Sequence, residues 1–250
     1  MPAAYRGVLL DLFGTLISFE PARLPELQVG SERMRTTVGG LAAPLAAWVP
    51  GTTPEEFLRA LVTVSDEMAR VRADEHVELP SRERFRRALE RVGCDDTQLA
   101  EAAVHLSRAH MGIVANATTL PDGHRALLDA LRPRYRLGLV SNFDDTATAY
   151  EILRRHGLLA YLDGVVVSEA LGLRKPHPAL VRAGLSDLGL AADEVLFVGD
   201  TFAEDVLGAR AAGVDAAWID AQGRGVPETA EPPRFRLRSL GELGPLLVAP

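Results

Sequence analysis

The chain has 250 residues, 47% of them hydrophobic, and a formal net charge of -7, which suffices for a large domain with an insertion and argues against a general nucleic-acid binder. The longest uncharged run, residues 36–54, is broken by Gly39, Gly40, Pro44, Pro50 and Gly51 and makes a poor membrane span. Cys94 is the sole cysteine, which excludes an intrachain disulfide, and MPAAYRG lacks the apolar run of a signal peptide, so a cytoplasmic protein is expected.

The first element is the run Val8, Leu9 and Leu10, apolar without alternation, as in a central parallel strand covered on both faces. Asp11 ends that run and Gly14 and Thr15 follow in a turn. By itself Asp11 reads first as a residue that ends a strand or caps a helix, and only the later polar clusters shift that reading.

From residue 21 to 118 the signals are mainly helical. Leu24 to Val49 is expected to be helical in parts. Thr53, Pro54, Glu55 and Glu56 start a helix that reaches about His76, with Phe57, Leu61, Val64, Met68 and Val71 on one face. Ser81 opens a second helix, stopped at Gly93, and Asp95 or Asp96 caps a third carrying Leu99, Ala103, Leu106 and His110. Trp48, Met68 and Phe85 read as core of this helical module, and the run Arg82 to Arg87 as a solvated face.

From Pro121 strands and helices alternate with short connections. Asp122 is expected to cap a helix through Leu131. Arg136–Val140 is a strand ending in Ser141 and Asn142, Thr146–His156 a helix closed by Gly157, and Gly164–Val167 a strand. A loop with Lys175 and Pro176 leads to a helix over Pro178–Leu188. Val195–Val198 is a strand ending in Gly199 and Asp200, Ala203–Ala212 a helix and Asp215–Ile219 a strand. Past Gly223 a loop precedes a short helix near residues 240–247. This alternation predicts an α/β fold: a doubly wound parallel, Rossmann-like sheet built from 1–20 and 119–250, with 21–118 inserted as a helical domain over the strand ends.

Four polar clusters follow apolar strands: Asp11 with Thr15, Ser141 with Asn142, Lys175, and Asp200 with Asp205. In a parallel sheet such strand ends share one edge, so the clusters converge. Their types suit nucleophilic work on an anion. Asp11 can attack and form a covalent intermediate. Thr15 and Ser141 can donate hydrogen bonds to the anion's oxygens. Lys175, the only lysine in a chain that otherwise uses arginine, can offset shared negative charge. Asp200 and Asp205 crowd more charge beside Asp11, which calls for a hard cation, most simply Mg²⁺.

DLFGTL, LVSN, RKPHP and FVGDTFAED, in that order at strand ends, resemble the four motifs of the haloacid dehalogenase-like hydrolase superfamily. The helical insert matches the position of that superfamily's helical cap. The resemblance implies that Asp11 is the nucleophile and that Ser141 and Lys175 hold the substrate's phosphate or carboxylate; Asn142, next to Ser141, is a further substrate-binding candidate. It implies a Mg²⁺ site of Asp11, Asp200, Asp205 and the backbone carbonyl of Phe13.

Phe13 departs from the pattern of the family's phosphatases, which carry an acid/base aspartate there. An aromatic residue suits the dehalogenase branch, whose halide leaves without a proton. Asp200 points the other way, because such dehalogenases need no metal, and Val181 stands where they tend to have a tyrosine. His177 reads as a solvated loop residue, and Asp144 and Asp145 as caps of the next helix. The favoured expectation is a Mg²⁺-dependent phosphatase of a small anionic metabolite, without nucleic-acid or membrane partners and of unassigned oligomeric state. A metal-independent 2-haloacid dehalogenase and a low-turnover anion-binding or regulatory protein are the alternatives.

Overall fold

The computed structural model describes residues 5–248; residues 1–4, which carry part of the signal-peptide reading, and 249–250 lie outside them. The strands are β1 (Gly7–Leu10), β2 (Ser18–Phe19), β3 (Glu26–Val29), β4 (Glu32–Arg35), β5 (Thr118–Thr119), β6 (Arg136–Ser141), β7 (Gly164–Val167), β8 (Val195–Gly199), β9 (Asp215–Ile219) and β10 (Phe235–Leu237). The helices are α1 (Ala42–Trp48), α2 (Pro54–Glu75), α3 (Ser81–Arg91), α4 (Asp96–Asn116), α5 (His124–Leu131), α6 (Thr146–Arg155), α7 (Ser168–Leu171), α8 (Pro178–Leu188), α9 (Leu207–Ala211) and α10 (Leu243–Val248). The chain divides into two compact units, Met1–Ser18 with Thr119–Thr146 and Leu153–Pro250, and Phe19–Thr118 with Ala147–Ile152.

The first unit is an α/β fold around a six-stranded parallel sheet in the order β10-β9-β8-β1-β6-β7. Val8, Leu9 and Leu10 are fully buried, as an apolar strand with neighbours on both sides must be. Strand order reverses about β1: the chain lays β6 and β7 on one side and then crosses back to lay β8, β9 and β10 on the other. A crevice opens outside the carboxyl ends of the strands at such a reversal. Leu10 stands level with Leu139 of β6 and Val198 of β8, so Asp11, Ser141 and Asp200 leave the sheet at the same edge. One face of the sheet packs Leu9, Val140, Phe197 and Trp218 against Leu180, Leu185 and Leu188 of α8 and Val206 and Ala209 near α9.

The second unit is built chiefly from α1 to α4. Thr53 accepts from Glu56 N and the Glu56 carboxylate accepts from Thr53 N, a reciprocal cap that fixes the start of α2. Asp95 caps α4 through Thr97 N at 2.8 Å. Phe57, Leu61, Val64 and Met68 of α2 join Phe85 and Leu89 of α3 and Leu106 of α4 in one core.

Four expectations are corrected. Residues 26–35 form the hairpin β3–β4, antiparallel around Gly30, where helix was expected. Their side chains are exposed or half-buried, so they carry too little apolar pattern to announce a strand. The cap position of α5 is Gly123, at φ 81°, rather than Asp122. The expected helix over 203–212 begins instead as a π-helical turn, Phe202–Val206, before α9. The sixth strand, β10, lies in the stretch read as a loop, its three residues being too short to register as a period.

The helical unit also holds a polar group that periodicity alone placed on its apolar face. His110 is buried; its Nδ1 stands 2.8 Å from Thr37 Oγ1 and its Nε2 stands 3.2 Å from the Arg84 guanidinium. A guanidinium can only donate, so Nε2 accepts and Nδ1 carries the proton toward Thr37. Arg84 therefore turns inward from the run read as a solvated face. Burial, reinforced by the Arg84 charge, pushes the His110 pKa down to about 3. In the unfolded chain a histidine titrates near 6.5. The unfolded state therefore binds the proton first, and the contribution of neutral His110 is complete above about pH 6.5 and lost as pH falls toward about 3. Urea unfolding across that range should show stability falling by up to about 1.4 kcal/mol per pH unit from this group. His110→Gln should flatten the slope; an unchanged slope in that variant would contradict the assignment.

Candidate active site

The loop after β1 starts the site. Asp11 N donates to Val198 O at 2.9 Å, which ties the first residue beyond β1 to the neighbouring strand. Gly14 takes φ 80°, and a Cβ there would come within 2.4 Å of Asp200 Oδ2, so the loop lies directly against that carboxylate. Thr15 is buried, and its hydroxyl has no hydrogen-bond partner among the described residues.

Lys175 is fully buried, and its ammonium donates to Asp11 Oδ1 at 2.7 Å, Asp205 Oδ1 at 2.7 Å and Val140 O at 2.8 Å. An ammonium has three protons, and each has an acceptor here. It also stands 5.2 Å from the centroid of the Phe197 ring. Asn142 holds Lys175 by its backbone: Nδ2 donates to Lys175 O at 3.0 Å and Oδ1 accepts from Lys175 N at 2.7 Å. The asparagine read as a substrate-binding residue thus has one donor and one acceptor engaged in placing the lysine. The Lys175–Pro176 peptide is cis. His177 is the cap of α8, its Nδ1 accepting from Ala179 N at 3.2 Å, so it is no idle loop residue.

The fourth cluster is shaped by the π-helical turn. Thr201 N donates to Asp205 Oδ2 at 2.8 Å while Asp205 N donates to Thr201 O at 2.7 Å. Each end of the turn pins the other, and Asp205 Oδ1 is left for Lys175. A Cβ at Gly199 would fall 2.3 Å from the Asp205 carboxyl carbon, so only glycine lets β8 end so close to that side chain. Arg174 pairs with Glu204 at 3.0 Å and links the third cluster to the fourth.

Asp11, Asp200 and Asp205 each offer a carboxylate oxygen within 4.8 Å of the others. Burial pushes the Asp11 pKa up to about 7, with Asp205 and Asp200 adding to the rise and Lys175 opposing it. Burial and then the Asp205 charge also raise Asp200. Burial disfavours the Lys175 ammonium, yet Asp11 and Asp205 outweigh it and hold its pKa above the ordinary lysine value. One ammonium among three carboxylates leaves negative charge uncompensated, and oxygen-only donors at this spacing suit a hard cation.

Asp11, Phe13, Thr15, Ser141, Asn142, Lys175, Asp200 and Asp205 all belong to the first unit, and Asp11, Lys175, Asp200 and Asp205 converge. Ser141, the last residue of β6, is buried at the same sheet edge. Phe13 turns its ring to Phe143, with centroids 5.1 Å apart. Two residues of the site escaped the sequence reading. Val140 contributes only a backbone carbonyl, which no side chain announces. Trp218 donates from Nε1 to Asp200 O at 3.0 Å, and nothing in its local sequence marks it.

Comparison with known proteins gives the family and the fold. The family model for haloacid dehalogenase-like hydrolases matches residues 5–213. The pyrimidine 5'-nucleotidase YjjG of Escherichia coli is 34% identical over 143 residues, 57% of this chain and 63% of that protein. The phosphoserine phosphatase of Thermus thermophilus is 35% identical over 167 residues, 66% of this chain and 64% of that protein. The chain thus spans just under two thirds of the length of these relatives. Among solved structures, a 2-haloacid dehalogenase from Pseudomonas syringae pv. Tomato superposes with a TM-score of 0.69 at 22% identity, covering 98% of each chain. YfnB from Bacillus subtilis, a HAD-hydrolase whose crystal is bound to magnesium, gives a TM-score of 0.65 at 21% identity, covering 97% of this chain and 98% of that one. At such identities these two structures share the fold. With the family model matching most of its length, the chain belongs to the haloacid dehalogenase-like hydrolases.

Proposed function

We propose that this hydrolase is a Mg²⁺-dependent phosphatase of a small phosphorylated metabolite, with Asp11 as its nucleophile. The observation that carries the reading is the third carboxylate: Asp200 joins Asp11 and Asp205 within 4.8 Å around a single ammonium. Burial first, and then the neighbouring carboxylates, raise the pKa values of Asp11 and Asp200, which a bound cation would oppose. Asp11, Asp200, Asp205 and the backbone carbonyl of Phe13 would hold the ion, which when bound would neutralise phosphoryl oxygens as a Lewis acid. Relatives named as phosphatase and nucleotidase support phosphate-ester chemistry over halide displacement.

In this mechanism an Asp11 carboxylate oxygen attacks phosphorus, and the bond from phosphorus to the leaving group breaks with its electron pair. The product is an acyl phosphate on Asp11. Water then attacks phosphorus, the bond to Asp11 breaks, and phosphate leaves. Thr15 and Ser141 donate to the phosphoryl oxygens; the Thr15 hydroxyl, buried without a partner among the described residues, suits an acceptor that arrives with the substrate. Lys175 balances the charge shared by nucleophile and phosphate, and Asn142 holds Lys175 in place. Selection of the substrate is assigned to the helical unit, residues 21–118.

Phe13 supplies no proton to the leaving group, and a missing general acid typically lowers rates by about 10²–10⁴-fold. Substrates whose leaving group departs as a stable anion should therefore turn over fastest. The same residue favours a second reading, a 2-haloacid dehalogenase, in which Asp11 attacks the carbon that bears the halogen and the halide leaves unprotonated.

Asp200→Asn should weaken Mg²⁺ binding at least about tenfold by calorimetry and abolish phosphatase activity, with the circular dichroism spectrum unchanged. No Mg²⁺ binding by the wild type, or halide release from 2-haloacids at full rate in EDTA, would replace the phosphatase with the dehalogenase. Lys175→Arg should impair turnover strongly, because a planar guanidinium cannot direct three bonds to Asp11, Asp205 and Val140 O. Full activity in that variant would contradict the role given to the ammonium.

A further inference from the structure

The peptide that joins Asp200 to Thr201 is held from both sides. Its N–H donates to Asp205 Oδ2 at 2.8 Å, and its carbonyl accepts from Trp218 Nε1 at 3.0 Å. Trp218 is on β9, opposite Gly199 of β8, and is almost wholly buried. Its ring meets Phe202 edge-on, with centroids 5.1 Å apart at 79°, so it also touches the first residue of the π-helical turn. The Arg236 guanidinium of β10 stands 5.8 Å from the centroid of the Trp218 ring system and is itself fixed by Asp220, whose Oδ2 accepts from Arg236 Nε at 2.9 Å. Asp220 is anchored in turn by Arg224 N at 2.9 Å and Gly225 N at 3.0 Å. A continuous set of contacts therefore runs from the outer strand through Trp218 to the backbone of Asp200.

We infer that Trp218 is the positioning residue for the cation site: its indole N–H orients the Asp200–Thr201 peptide so that the Asp200 and Asp205 carboxylates face the same point. The inference rests on the Mg²⁺ reading above. The geometry gives the reason. A peptide plane has one rotational setting that satisfies both Trp218 and Asp205, and Asp200 carries its side chain from that plane. Without the indole donor the carbonyl is free to turn toward water, and Asp200 must be ordered when the ion binds. That ordering weakens affinity for the ion while leaving the loaded site intact. Trp218 makes no contact that would place it among the reacting atoms.

Trp218→Phe keeps an aromatic ring facing Phe202 and removes the donor together with part of the buried indole. A single neutral hydrogen bond of this kind corresponds to an affinity loss of about three- to tenfold. Calorimetry with Mg²⁺ alone should show that loss, and kcat at saturating Mg²⁺ should stay near the wild-type value. Equal Mg²⁺ affinity in wild type and variant would overturn the inference while leaving the Mg²⁺ reading standing. Absence of Mg²⁺ binding in the wild type would overturn both.

A second measurement leaves Trp218 in place. The sequence has two tryptophans, Trp48 and Trp218, and Trp48→Phe makes Trp218 the only indole. A divalent charge beside Asp200 alters the field at an indole bonded to the same residue. Titrating Mg²⁺ into Trp48→Phe should give a saturable change in emission with the calorimetric midpoint, abolished by Asp200→Asn. A flat emission across a titration that calorimetry shows to saturate would overturn the inference, whether or not Trp218→Phe folds.

Discussion

One buried ammonium governs the architecture of the site. Lys175 donates to Asp11, Asp205 and the carbonyl of Val140, and so ties together the loop after β1, the end of β6 and the turn after β8. Burying a charge is costly unless it is paired and fully hydrogen-bonded, and here all three protons have acceptors. The sheet makes this possible. Parallel strands whose order reverses about β1 deliver three loops to one edge from positions far apart in sequence, as the pairing of Leu10 with Leu139 shows. A buried ion pair is a poor device for stability. Its presence at a sheet edge, with a third carboxylate left over, fits a site shaped for chemistry.

The rest of the local structure serves closeness. Gly14 and Gly199 remove the Cβ atoms that would strike Asp200 and Asp205. The π-helical turn sets Thr201 and Asp205 to bond each other, and departures from the α-helix of this kind recur at functional sites. Asn142 and the Arg174–Glu204 pair hold the backbone and flank of Lys175. The same closeness leaves Asp11 in a conflict between burial, two like charges and one opposite charge. That conflict is what a divalent cation would relieve.

The fold and the site differed in how legible they were. β1, β8 and the helix from Pro178 to Leu188 are strong periodic or apolar runs with clear stops, and sequence reading recovers them nearly residue for residue. The hairpin over 26–35 is short and largely exposed and so lacks an apolar pattern, while the three residues of β10 are too few to show a period and pair with β9, a partner outside their own stretch of sequence. Within the site, Asp11, Lys175, Asp200 and Asp205 were legible because several polar clusters, each after its own apolar strand, must share one sheet edge, although Asp11 alone reads as an ordinary strand end or cap. Lys175 stood out further as the sole lysine. The Val140 carbonyl, the π-helical turn and Trp218 were not, because backbone groups and a strand residue's indole N–H acquire their roles only when the sheet aligns Gly199 with Trp218. The further task of Asn142, holding the Lys175 backbone by two bonds, depends on a loop conformation that spacing does not reveal.

The central claim is that Asp11 carries a phosphoryl group during turnover. Brief exposure of the protein to acetyl phosphate with Mg²⁺, an acid quench, and mass spectrometry of the peptide containing Asp11 tests it most directly. The account predicts one phosphoryl group on Asp11, absent without Mg²⁺ and absent in Asp11→Asn. An unmodified Asp11 under those conditions, together with an ester formed on Asp11 by a 2-haloacid in EDTA, would contradict it.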